Sequence, residues 1–305
     1  MRRRVGGTSV IRWRRVLFLS EGFARVGVAG VGRVACLAGF GCVGPGVGAG
    51  VNWRRLVAMS LLHAAELRKS FRDRRVVDGV SLSIGEAEIV GLLGRNGAGK
   101  TTSFRMIIGM LEPDGGSVFF SGEDISRLPM YRRARMGLGY LSQEPSVFTR
   151  LSCEKNLLAI LETLPIGRRE RKRRAVELLD RFGLMKKRDE AARTCSGGER
   201  RKLEIARALA TDPSLILLDE PFSGVDPLAV EELQDELRRL VDLGIALLIT
   251  DHNVQQTLAV CDRAYIIDEG KVLREGTPRA LINDAVVRRA YLGSMFRGDE
   301  FDRPR

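Results

Sequence analysis

The stretch Gly94-Arg95-Asn96-Gly97-Ala98-Gly99-Lys100-Thr101 fits the phosphate-loop pattern G-x-x-x-x-G-K-[ST] at every required position. Ahead of it, Ile89-Val90-Gly91-Leu92-Leu93 reads as a buried strand, and Lys100 to Met110 reads as a helix, so the glycines sit at a strand-to-helix turn. There, successive backbone N–H groups and the positive helix N-terminus attract phosphate. Lys100 adds a mobile charge, and the Thr101 hydroxyl is a candidate ligand for Mg²⁺. The pattern implies a bound nucleoside triphosphate, with Gly94 to Thr101 and the adjoining Thr102 as candidate contacts.

About a hundred residues onward, Cys195-Ser196-Gly197-Gly198-Glu199 precedes a helical pattern over Arg200 to Ala210, with Leu203, Ala206, Leu209 and Ala210 on one face. Ser196 and the bare backbone of Gly197 and Gly198 at a helix start make a second anion site. An ordinary helix cap is the competing reading. After Pro213 comes Leu215-Ile216-Leu217-Leu218-Asp219-Glu220, an apolar run too short for a helix and flanked by breakers, hence a strand buried on both faces. Asp219 at its end is a candidate for Mg²⁺, while Glu220 suits the general base for the water that attacks a γ-phosphate.

These segments resemble the ATP-binding cassette family. The order Phe71, Gly94 to Thr101, Gln143, Ser196 to Glu199, Asp219 with Glu220, Asp226 and His252 matches the family's parts. The resemblance implies that Ser196, Gly197, Gly198 and Glu199 form the signature, gripping the γ-phosphate of ATP held by a second subunit. It assigns Gln143 to the loop that reaches metal and attacking water, Asp226 to the loop crossing to the other subunit, and His252 to the γ-phosphate. Phe71 is placed to stack on adenine, worth about 1–3 kcal/mol per base; a core phenylalanine is the alternative. Arg95 stands where family members often carry proline or serine, and Cys195 where leucine is usual; neither removes a phosphate ligand. The fold implied is an α/β phosphate-loop NTPase with a mostly parallel core sheet. A smaller antiparallel layer from Ala64 to Ile84 and Ser117 to Phe120 and a helical subdomain over about residues 152–210 complete it.

Within the family, Met59 to Phe296 is most similar to the lipopolysaccharide-export ATPases. The strings that carry this are Ile249-Thr250-Asp251-His252-Asn253-Val254, Thr257 to Ile266, Pro221 to Pro227, Glu144 to Asn156 and the tail Tyr291-Leu292-Gly293 with Phe296. Branched-chain amino-acid import ATPases share parts of them and remain the alternative. The resemblance implies a homodimer that binds ATP and Mg²⁺ beneath two transmembrane permease subunits, peripheral on the cytoplasmic face of the inner membrane. Phe148 and Arg150 are candidates for the groove that receives those subunits, with local packing and surface charge as the other reading.

Composition fits a cassette from residue 59 to 305 once residues 1–58 are set apart. Of the net charge of +12, that first segment carries +9, leaving +3 and no implied nucleic-acid partner. Residues 34–51 are uncharged, but abundant glycine, Pro45 and Arg33 make a poor spanning helix. The expectation is that the native chain starts at Met59. Arg168 to Arg174 reads as a solvated helix start rather than a nucleic-acid patch. Cys36, Cys42, Cys153, Cys195 and Cys261 show no paired spacing and are expected as free thiols, and His63 as structural. A chromosome or ribosome ATPase would show a long coiled coil or second cassette, and a nucleotide sensor without turnover would be expected to lack Glu220 or His252.

Overall fold

The computed structural model describes residues 60–292; the expectations about residues 1–58 and Phe296 lie outside the described residues. The chain opens with β1 (Leu62–Phe71) and β2 (Arg74–Ile84), an antiparallel pair, and β3 (Ile89–Gly94) runs into α1 (Lys100–Ile108). Then come β4 (Gly115–Phe120), β5 (Glu123–Asp124), α2 (Met130–Arg135) and β6 (Leu138–Leu141). A helical stretch holds α3 (Cys153–Leu161), α4 (Arg168–Arg181) and α5 (Gly197–Leu209). The remainder is β7 (Leu215–Asp219), α6 (Pro227–Asp242), β8 (Ala246–Thr250), α7 (Val254–Val260), β9 (Arg263–Asp268), β10 (Lys271–Gly276), α8 (Pro278–Asn283) and α9 (Ala285–Val287).

Two sheets result. A four-stranded antiparallel sheet has the order β2-β1-β4-β5, and a six-stranded sheet has the order β10-β9-β3-β8-β7-β6. In the larger one β9, β3, β8, β7 and β6 pair in parallel, and β10 adds an antiparallel edge. This is the expected α/β class, and every residue of β3, β7 and β8 is buried, as strands covered on both faces require.

Alternation along the strands assigns those faces. Val90, Leu92, Leu215, Leu217 and Leu248 pack with Phe104, Met106 and Ile107 of α1 and with Leu62 and Ile84 of the antiparallel sheet. Ile89, Ile216, Leu218, Leu247 and Ile249 pack with Leu157, Leu179, Leu203 and Leu237 of α3 to α6. The sheet is therefore a partition with the phosphate-loop helix on one side and the helical stretch on the other.

Some boundaries differ from those the sequence suggests. The helix after the phosphate loop ends at Ile108 rather than Met110, because Gly109 adopts φ 84° and its N–H turns back to Met106 O. The helix after Ser196 starts at Gly197 rather than Arg200, because Ser196 is its N-cap. One buried cation has no sequence signature at all. Arg133, 1% exposed, sends its guanidinium to the carbonyls of Met106 and Ile107 at the end of α1 and to those of Leu128 and Ser126. It supplies donors to a helix C-terminus that water cannot reach.

Among the described residues, no helix is long and apolar enough to cross a membrane.

Candidate active site

β3 lies in the interior of the six-stranded sheet and delivers the phosphate loop at its carboxyl end. Two glycines there are required by close approach. A Cβ at Gly94 would collide with the carbonyl oxygen of Ile267, and one at Gly99, whose φ is 104°, would lie 2.8 Å from Val76 O. Arg95, Asn96 and Gly97 are exposed on the loop's outer surface, while Ala98 and Gly99 are buried beneath it. Thr101 is exposed in the first turn of α1 and Thr102 half-buried. Lys100 is buried, and its ammonium donates to the carbonyls of Gly94 at 2.6 Å and Arg95 at 3.0 Å. Burial pushes its pKa below the ordinary lysine value, opposed by the charges of Glu220, Asp251 and Asp219. A compact cation thus sits folded over the loop, with three carboxylates in its field.

The carboxyl ends of β6 and β7 are neighbours, since Tyr140 pairs with Leu217 and Leu141 with Leu218. Asp219 ends β7 buried, and Tyr140 OH reaches its Oδ2 at 3.5 Å. Burial, then the Glu220 charge, raises the Asp219 pKa above its ordinary value. Glu220 follows in the left-handed region at φ 47°, an unfavourable conformation for a side chain of this length. That kink is held by Glu220 N–H donating to Thr250 O at 2.7 Å and Ser223 N–H to Glu220 O at 3.2 Å. Strain held by surrounding bonds is common where a side chain must be aimed. Here Gln143 Nε2 donates to Glu220 Oε2 at 2.6 Å, and His252 Nδ1 lies 3.5 Å from the same oxygen. Asp251, fully buried, accepts from Phe222 N and Asn253 N, fixing the loop that carries His252.

These donors suit a hard cation. The Thr101 hydroxyl, the Asp219 carboxylate and the Gln143 amide oxygen are all oxygen ligands, the kind Mg²⁺ takes alongside phosphates. Asp219 is a buried carboxylate whose pKa is raised by burial and by the Glu220 charge, with the Arg105 charge opposing.

Ser196 caps α5, accepting from Glu199 N at 3.2 Å, while Glu199 Oε2 accepts from Ser196 N at 2.8 Å. In this reciprocal capping box the Glu199 carboxylate is engaged with the backbone N–H of Ser196. The Ser196 hydroxyl proton stays available to an anion. Ser196, Gly197 and Gly198 line an open cleft of about 720 Å³ with Gln143, Glu220 and Asp226. No residue from Gly94 to Thr101 is among those lining it.

Phe71 is 48% exposed at the tip of the β1–β2 hairpin, which removes the core reading and leaves its ring accessible. Phe148 is also exposed, with the Arg207 guanidinium 4.7 Å from its ring centre, and Arg150 is exposed nearby in sequence. Cys153, Cys195 and Cys261 are free and buried, as the spacing suggested; Cys36 and Cys42 lie outside the described residues. Cys195 packs in the core beside Cys153, whose thiol is pushed up to about 12 by burial and by Cys195. Sequence reasoning missed Tyr140 and Arg133. Only strand pairing signals Tyr140, and Arg133 stands in the sequence as one more arginine of a basic run.

A family model described as "ABC transporter" matches residues 77–223. The chain is 54% identical over 236 residues to the lipopolysaccharide export system ATP-binding protein LptB of Acidithiobacillus ferridurans, covering 77% of this chain and 98% of that one. It is 50% identical over 240 residues to the protein of the same name in Escherichia coli strain K12, covering 78% and 100%. Among solved structures, the ADP conformation of MJ1267, an ATP-binding cassette of an ABC transporter, superposes with a TM-score of 0.71 at 28% identity, covering 77% and 99%. Identity at this level over nearly the full length of such relatives leaves one assignment: the chain is a member of the ABC transporter family, among its ATP-binding proteins.

Proposed function

We propose that this ATPase is the motor subunit of a transporter that extracts lipopolysaccharide from the inner membrane. It works as a homodimer on the cytoplasmic face, docked beneath two permease subunits. The observation that carries the reading is the half-identity, over nearly the full length of those relatives, with proteins named for lipopolysaccharide export.

The chemistry follows from the residues. Backbone N–H groups of the phosphate loop and the Lys100 ammonium bind the β and γ phosphates, with Lys100 exchanging its carbonyl partners for phosphate oxygens. Thr101, Asp219 and Gln143 would hold Mg²⁺, which would neutralise phosphate charge. Glu220 takes the proton of the attacking water, oriented by Gln143, and His252, whose Nδ1 lies 3.5 Å from the Glu220 carboxylate, hydrogen-bonds the γ-phosphate. Phe71 stacks on adenine. Ser196, Gly197 and Gly198 of one subunit complete the site of the other, and Asp226 crosses between them. Glu199 acts through Ser196 by holding the cap. Closure on ATP and opening after hydrolysis would drive the permeases, with Phe148 and Arg150 in the docking groove.

Purification of the endogenous chain with its membrane partners, followed by reconstitution in vesicles carrying lipopolysaccharide, tests the reading. ATP-dependent release of lipopolysaccharide to an acceptor is expected. Permeases that instead import branched-chain amino acids would overturn it.

A further inference from the structure

The two carboxylates at the exit of β7 each face a donor from β6 or the segment after it: Gln143 Nε2 donates to Glu220 Oε2 at 2.6 Å, and Tyr140 OH makes a longer contact of 3.5 Å to Asp219 Oδ2. The second contact follows from the register. Tyr140 pairs with Leu217 on the adjacent parallel strand, and Asp219 stands two residues beyond Leu217, so the three project from one face. That face carries α1, where Tyr140 packs against the cluster containing Leu217, Phe104 and Met106. Asp219 is 6% exposed, so bulk water cannot orient it. The kink at Glu220 breaks the alternation and sends the next carboxylate to Gln143 instead.

We propose that Tyr140 is a positioning residue for the metal: its phenol, donating to one oxygen of Asp219, holds the carboxylate in the orientation that meets Mg²⁺ at the phosphate loop. The phenol donates without adding a further charge, and its ring is held by packing on the α1 face. Hydrogen bonds of this outer kind tune metal affinity rather than the chemical step. The inference rests on the assignment of Asp219 as a metal ligand, and the experiment separates the two.

Binding of Mn²⁺ to the full chain with ADP, followed by electron paramagnetic resonance, would be compared in the unaltered protein, Tyr140→Phe and Asp219→Asn. Tyr140→Phe should weaken Mn²⁺ capture roughly tenfold, with ADP affinity in chelator unchanged. The Mg²⁺ concentration that half-activates ATP hydrolysis should rise by a similar factor, with kcat at saturating Mg²⁺ kept within about twofold. If Asp219→Asn loses Mn²⁺ while Tyr140→Phe binds it normally, the role of Tyr140 is overturned and Asp219 stands. If neither variant loses Mn²⁺, the metal-ligand assignment falls and takes this inference with it. Equal weakening of ADP binding in chelator would show a merely structural tyrosine and also overturn it.

Discussion

The side-chain amide of Gln143 donates to Glu220 Oε2 at 2.6 Å, tying together two residues 77 positions apart. The bond is possible because β6 and β7 are parallel neighbours whose carboxyl ends open on the same edge. It joins the group proposed to sense the metal to the group proposed to take the proton. In Glu220→Gln the shape of this pair survives but the base is gone. ATP binding should persist while hydrolysis slows by roughly 10²–10⁴-fold, measured as phosphate release in single turnover. Near-normal release would remove Glu220 from the role.

Lys100 gives a pH dependence. Burial holds its pKa below the ordinary lysine value, and the nearby carboxylates oppose this only in part. The ammonium is present below that lowered pKa and lost above it. ATP affinity should therefore begin to weaken with rising pH before the unperturbed lysine value of about 10.4. Lys100→Ala should lower affinity near neutral pH by roughly 10- to 100-fold and flatten this pH trend. Titration of ATP binding by fluorescence checks both, and an unchanged affinity in Lys100→Ala would contradict the phosphate-loop role.

Arg133 gives a stability test away from the phosphates. Its guanidinium serves the buried carbonyls of Met106 and Ile107, and Arg133→Met keeps bulk but removes every donor. Met106 O keeps the Gly109 N–H, and leaving Ile107 O orphaned should cost about 1–3 kcal/mol, read from denaturant unfolding. A cost within about ±0.5 kcal/mol, the scale of surface changes, would mean the carbonyls find other partners.

What the sequence disclosed was local. The phosphate loop, the carboxylates ending β7 and the helix over Arg168 to Arg181 are short patterns whose meaning lies in their own spacing. Ser196 followed three residues later by Glu199 is likewise a local capping-box pattern, and the box forms. Arg133 and Tyr140 were illegible because their partners come from other elements. Arg133 meets carbonyls 26 and 27 residues away, and Tyr140 meets a carboxylate 79 residues away. No periodicity records such pairings; only the strand order does.

Ser196, Gly197 and Gly198 are proposed to act on nucleotide held by a second copy of the chain. The cleft they line holds Gln143, Glu220 and Asp226 but no phosphate-loop residue, and a second copy's phosphate loop is proposed to face it. Light scattering of Glu220→Gln protein at saturating ATP and Mg²⁺ tests this most directly. The account predicts an ATP-dependent dimer that Ser196→Arg abolishes while ATP binding through Lys100 is retained; a monomer under those conditions would contradict it.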